Sequence, residues 1–163
     1  MDREAYNQFI EQSADVLDED GLPHMAGRVI GALLVCVPPY RSLDQLADEV
    51  QASKGAISMA TQLLLRMRFI ERISLPGERR HFYQLRSNFL EDVMSERTEH
   101  ILRHRELFEA GMVLLGDEPT EAKTRLIELQ AYLDFFADEL PELKKRWKAR
   151  QDELIRRRTE ETP

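Results

Sequence analysis

Ser58, Gln62 and Arg66 recur at four-residue intervals, so on a helix they share one face. Ser53, Lys54, Gly55 and Met59 lie beside them. No nucleophile here has a base to activate it. The set supplies hydrogen-bond donors, acceptors, cations and a small-residue opening, which is the chemistry of reading a polyanion. Glutamine pairs with adenine and methionine touches a thymine methyl, while serine, lysine and a helix N-terminus bind phosphate. Arg79 and Arg80, just past Pro76-Gly77-Glu78, form a second basic group. Each feature has a plainer reading: a solvated helix face, and a charged turn that keeps an edge hairpin from pairing.

The surrounding residues must position these groups. Ser42 suits an N-cap, and Leu43, Leu46, Ala47 and Val50 recur at helical spacing behind it. Gln51-Ala52-Ser53 reads as a tight turn, with Ser53 capping a second helix over about 54–68 whose inner face carries Ile57, Ala60, Leu63, Leu64 and Met67. Two such helices joined by a short turn form a helix-turn-helix, whose second helix enters a DNA major groove. Residues 69–75 and 79–85 then read as two strands around Pro76-Gly77-Glu78. The expected fold is mainly α with a small β-wing: a winged helix-turn-helix plus long dimerisation helices. On a strand, adjacent arginines point to opposite faces, so only one of Arg79 and Arg80 is expected to reach the duplex directly.

These residues resemble the MarR family of bacterial regulators, and within it the GbsR-like branch. The resemblance rests on Gly21-Leu-Pro-His-Met-Ala-Gly-Arg-Val-Ile-Gly31, Leu43-Asp-Gln-Leu-Ala47, Ser53-Lys-Gly-Ala-Ile-Ser-Met59 and Leu75-Pro-Gly-Glu-Arg-Arg80. It covers about half the chain. It implies a homodimer that acts as a repressor on a pseudo-palindromic double-stranded DNA site, with Arg79 in or along the minor groove and Arg80 on phosphate. It further implies a small-molecule effector held where dimerisation helices meet the head, here with Phe9, Phe108, Met112, Tyr132 and Phe136 as candidates.

Charge supports the assignment through its distribution. The chain of 163 residues carries a formal net charge of −7. Between residues 53 and 86, however, seven cations stand against two anions, a net of +5. An acidic body with a basic head binds DNA in one orientation and with marked salt dependence. No apolar run approaches a membrane span, so no membrane partner is expected. The charged start lacks the apolar core of a signal peptide, which predicts that the protein stays in the cytoplasm. The single Cys36 excludes an intrachain disulfide and reads as a buried thiol or, less simply, as an oxidant sensor.

The rest of the chain reads as helix. Residues 2–18 are amphipathic through Tyr6, Phe9, Ile10, Ser13, Val16 and Leu17, and 24–37 form an apolar core helix ended by Pro38-Pro39. Gly27 and Gly31 leave one face of that helix bare for another helix to approach, and Arg28 reads either as a phosphate contact or as the partner of an acid. A long helix runs from Ser87 or Asn88 to about Leu115, with a stripe of Phe89, Leu90, Val93, Met94, Ile101, Leu102, Phe108 and Met112. His100 and His104 share a face there, but a solvated pair is the simpler reading than a metal site. A last helical region begins near Thr120, and Pro141 is expected to kink it or start a further helix over 142–158. The expected domains are an N-terminal dimerisation helix (1–22), a winged helix-turn-helix (23–86) and a C-terminal helical dimerisation region (87–163). No phosphate loop, nucleophile elbow or metalloprotease motif is present, so neither enzyme nor cofactor is expected. The alternative class is an adaptor whose winged head docks protein.

Overall fold

The computed structural model describes residues 2–161, except for the side chains of 89, 90, 92–94, 96, 97, 100 and 101. Six helices and three short strands follow in the order α1 (Arg3–Glu19), α2 (His24–Leu34), β1 (Arg41–Ser42), α3 (Leu43–Glu49), α4 (Lys54–Arg66), β2 (Ile70–Ile73), β3 (Phe82–Leu85), α5 (Phe89–Leu115) and α6 (Thr120–Glu161). The chain divides into two compact units, Met1–Met94 and Ser95–Pro163, here termed the head and the arm. Predicted stripe residues Phe89, Leu90, Val93, Met94 and Ile101, and the His100 side chain, lie outside the described side chains.

In the head, α1 packs on the glycine face of α2. A Cβ added at Gly27 would stand 2.7 Å from the Ala14 Cα, and one at Gly31 2.9 Å from the Ser13 Cβ. The two backbones therefore touch where the sequence removes side chains. This seats Ile10 and Ala14 in the core but leaves Phe9 and Val16 exposed, so the inner face of α1 is narrower than its apolar residues suggest. The core of Ile30, Leu33, Leu46, Ile57, Leu64 and Ile70 ties α2, α3, α4 and the sheet together. Arg28 is a structural group: its Nη2 lies 2.9 Å from the Glu11 Oε1, linking α2 to α1.

Helix ends are set by local chemistry. α2 stops at Leu34, three residues before the predicted end, because a residue preceding proline is driven from the helical region and Pro38-Pro39 cannot continue the helix. Three helices close with the same kind of bond. Leu22 donates to Leu17, Ala52 to Ala47 and Phe69 to Leu64. The residue before each donor is left-handed: Gly21 (φ 86°), Gln51 (φ 52°) and Arg68 (φ 59°). These are Schellman caps, which reverse the chain while satisfying the last carbonyls.

The sheet orders its strands β1-β3-β2, all antiparallel, with Ser42 opposite Phe82 and Ile73 opposite Phe82 on the other side. β1 is an addition to the expected hairpin; its two residues double as the approach to the α3 cap. The strands of the wing are shorter than predicted, and Arg79 and Arg80 lie in the loop, not on a strand. The ladder ends at buried Phe82, whose ring meets Tyr40 edge-on at 5.4 Å; residues 74–81 are exposed apart from half-buried Leu75. The strand-alternation argument for the arginine pair therefore fails.

In the arm, α5 and α6 run antiparallel. A Cβ at Gly111 would lie 3.0 Å from the Leu126 side chain, Arg105 Nη2 is 3.0 Å from Asp134 Oδ1, and Lys144 Nζ donates to Ser95 Oγ at 2.8 Å. α6 continues unbroken through Pro141, so neither a break nor a separate last helix forms there. Among the described residues, no helix is long and apolar enough to cross a membrane.

Candidate nucleic-acid interface

The interface is built on α3, α4 and the wing. Ser42 accepts from the Gln45 N–H at 3.3 Å while the Gln45 side chain accepts from the Ser42 N–H at 2.8 Å, a reciprocal capping box that fixes the entry to α3. The left-handed Gln51 turns the chain, and the Ser53 hydroxyl accepts from the Ala56 N–H at 3.2 Å to open α4. Behind α4, Ile57, Ala60 and Leu64 are buried as predicted, Leu63 is half-buried, and Met67, past the helix end, is exposed. Thr61 is also buried and satisfies its hydroxyl within the helix by donating to the Ile57 carbonyl at 2.9 Å.

The outward face of α4 carries the residues that the sequence singles out. Ser53, Lys54, Gly55, Met59, Gln62 and Arg66 are exposed and Ser58 half-buried. Met59 is 70% exposed, so its side chain is open to an outside contact. Gln62 Nε2 lies 3.4 Å from Ser58 Oγ, so the two act as one polar unit. A Cβ at Gly55 would meet only the Ser53 Oγ at 3.9 Å. Nothing inside the protein calls for glycine there, and an exposed helical glycine costs about 1 kcal/mol relative to alanine.

The wing tip is a type II turn. Pro76 and Gly77 (φ 83°) occupy its centre, and the Glu78 N–H donates to the Leu75 carbonyl at 3.1 Å. Arg80 is held on the protein, with Nε 3.0 Å from Glu78 Oε2 and its guanidinium 5.6 Å from the Phe82 ring centroid. Arg79 is exposed and makes no ion pair among the described residues. Of the two arginines it is the one with no internal partner, among the described residues, to exchange for an external anion, whereas Arg80 must give up Glu78.

Asp44, which residue periodicity does not single out, stands beside this surface. Its carboxylate pairs with Lys54, which holds it below the usual carboxylate range; the same hydrogen bond raises the Lys54 ammonium. The available signal is its place two residues after the Ser42 cap, next to the start of α4. Arg41 is also unforeseen: its Nε donates to Glu49 Oε1, its Nη1 to the Pro38 and Tyr40 carbonyls, and the Tyr6 hydroxyl donates to Glu49 Oε2 at 2.8 Å. This network braces the loop behind α3 against α1. Buried Cys36 lies near it, its thiol pushed up by burial, so the structure favours an inert thiol over a reactive one.

The effector candidates fall in both units. Phe9 is an exposed residue of the head, while Phe108, Met112, Tyr132 and Phe136 belong to the arm. Within the arm, Tyr132 and Phe136 have ring centroids 4.6 Å apart, and Phe108 neighbours His104 at 6.4 Å. Among the described residues, no three His, Cys, Asp or Glu side chains are grouped to hold a metal ion.

A capped helix-turn-helix with an adjoining β-wing defines the winged-helix class of DNA-binding domains. Comparison with known proteins narrows this. A model of the MmpR5-like MarR family transcriptional regulators matches residues 88–150. The HTH-type transcriptional regulator MmpR5 of Mycobacterium tuberculosis (strain ATCC 25618 / H37Rv) is 32% identical over 146 residues, covering 90% of this chain and 88% of the relative. The putative HTH-type transcriptional regulator YvaV of Bacillus subtilis (strain 168) is 24% identical over 146 residues, covering 82% of each. A crystal structure of a transcriptional regulator superposes with a TM-score of 0.72 at 32% identity, over 90% of this chain and 99% of that one. The chain belongs to the MarR family of transcriptional regulators and is not an enzyme.

Proposed function

We propose that the protein is a homodimeric repressor that reads a pseudo-palindromic operator in the cytoplasm. Gly55 carries the reading most directly. A glycine that the fold does not require, on the exposed first turn of α4, suits a backbone that must approach a phosphate closely. Ser53 and Lys54 bind phosphate beside it. Ser58, Met59 and Gln62 face base edges, Arg66 follows the strand, Arg79 enters the minor groove and Arg80 touches phosphate. Two-fold symmetry sets the recognition helices about 34 Å apart, on successive major-groove faces. The domain division into 1–22, 23–86 and 87–163 and the GbsR-like placement belong to the same reading, the latter through the motifs at 21–31 and 53–59. An effector seated within the arm among Phe108, Met112, Tyr132 and Phe136 would release DNA only as far as it binds the two states differently.

Selection of bound sequences from a random duplex pool tests this function. A two-fold symmetric consensus whose half-sites lie one helical turn apart supports it; recovery of no enriched sequence, with retention of a protein partner instead, favours the adaptor.

A further inference from the structure

The turn between α3 and α4 faces α1 across a polar cavity. Val50 buries the core side of the turn. Towards α1, a space of about 130 Å³ lies between Asn7 and Glu11 of α1, Arg28 of α2, and Glu49 and Gln51. Packing across that gap is thin, so the hydrogen bonds at its rim carry more of the hold. There the Tyr6 ring packs on the core, and its hydroxyl donates to Glu49 Oε2 at 2.8 Å. The other oxygen of the same carboxylate accepts from Arg41 Nε. Arg41 Nη1 in turn donates to the Pro38 and Tyr40 carbonyls at 2.8 and 2.9 Å. One carboxylate thus joins α1, the loop before β1 and the last residue of α3. The Arg41 and Glu49 side chains are 12% and 27% exposed, so water competes less for these bonds than on the open surface.

We propose that Tyr6, Glu49 and Arg41 are positioning residues for DNA reading: they set the α3–α4 turn and, through it, the first turn of α4. This rests on the DNA-reading proposal above and extends it to residues behind the reading surface. Only Val50, Gln51 and Ala52 stand between Glu49 and the Ser53 cap. That stretch is stiff: Gln51 is left-handed (φ 52°), and the Ala52 N–H donates to the Ala47 carbonyl at 2.9 Å. A shift at the end of α3 therefore reaches Ser53, Lys54 and Gly55 with few soft dihedrals to absorb it. Base edges are read only by a helix held in one place, whereas attraction to phosphate tolerates displacement. Loss of the hold should weaken binding to a recognised sequence more than binding to random DNA. It leaves the number of phosphates met, and so the salt dependence, unchanged.

Tyr6→Phe in the full chain removes one hydroxyl and keeps the ring. Fluorescence anisotropy across salt measures its binding to the duplex enriched from the random pool and to random duplex. Amide exchange without DNA follows Ala52, Ala56 and Ile57, whose N–H groups bond to Ala47 and Ser53, against the amides of the β2–β3 ladder. The expected result is a severalfold loss of affinity for the enriched duplex, little change on random duplex, an unchanged salt slope, and faster exchange at those three amides relative to the ladder. Glu49→Gln should stay close to the unchanged chain, because its amide can accept from Arg41 and donate to the Tyr6 oxygen. Undiminished affinity for the enriched duplex overturns the proposal, as does exchange no faster than the ladder's. A shallower salt slope, or an equal loss on both duplexes, also overturns it. If the unchanged chain binds neither duplex, the DNA-reading proposal fails by itself, and exchange alone decides whether the network holds the turn.

Discussion

Lys54 Nζ lies 2.5 Å from the Asp44 carboxylate, so the first cation of the recognition helix already holds an anion before DNA arrives. A phosphate that takes Lys54 must compete with Asp44. Opposite charges in contact at an exposed site attract only weakly in water and are screened by salt. Asp44→Asn is therefore expected to tighten binding to any duplex severalfold at low salt, without changing the preferred sequence. Fluorescence anisotropy on specific and random duplexes checks both parts. Unchanged or weaker binding would remove Lys54 from the phosphate contacts.

Two glycines in the head are expected to respond in opposite ways. Gly27→Ala drives a Cβ against the Ala14 backbone, which cannot step aside, and should cost about 1–3 kcal/mol in urea unfolding. Gly55→Ala meets open space on a helix and should stabilise the chain by up to about 1 kcal/mol. On the proposed reading the same change should weaken DNA binding at least tenfold, because the added methyl would lie where the duplex backbone approaches. Stabilisation with undiminished affinity would show that Gly55 is not at the interface.

The alkaline limb of stability should involve Tyr6 and Cys36. Burial raises both, and the bond to Glu49 raises Tyr6 further. Each holds its proton more tightly folded than unfolded, so its contribution is complete below the unfolded value and falls as pH rises beyond it. Stability should decline from about pH 9 upward. Tyr6→Phe should flatten the part of that decline above about pH 10, at the cost of the Glu49 hydrogen bond at neutral pH. Urea midpoints across pH 7–11 measure it; an identical slope in Tyr6→Phe would contradict the assignment.

Much of the head is legible in the sequence because local chemistry and tertiary packing agree there. Ser42 and Ser53 are caps by type, Gly27 and Gly31 announce a close helix contact, and the polar face at Ser58, Gln62 and Arg66 has the period of a helix. The failures share a cause. Residue type says little about where a ladder stops, so the expected wing strands are too long and wrongly take in Arg79 and Arg80. Gln51 and Arg68 hold left-handed caps that glycine usually marks, so α4 ends two residues before its predicted limit. Pro141 is a helix breaker by propensity, yet α6 passes through it. Asp44 and Arg41 gain their meaning from partners on other turns of the chain, Lys54 and Glu49, which periodicity does not reveal.

The central claim is that α4 and the wing meet a phosphate backbone. Its most direct test is a salt titration of binding to random duplex DNA, comparing the unchanged chain with Arg79→Ala/Arg80→Ala by fluorescence anisotropy. Removing one phosphate-binding cation should reduce the slope of log affinity against log salt by about 0.9. The account predicts steep weakening of affinity with salt in the unchanged chain, and a slope shallower by about one to two units in the double variant. Equal slopes would contradict the wing contact, and no binding even at low salt would contradict the DNA-reading head itself.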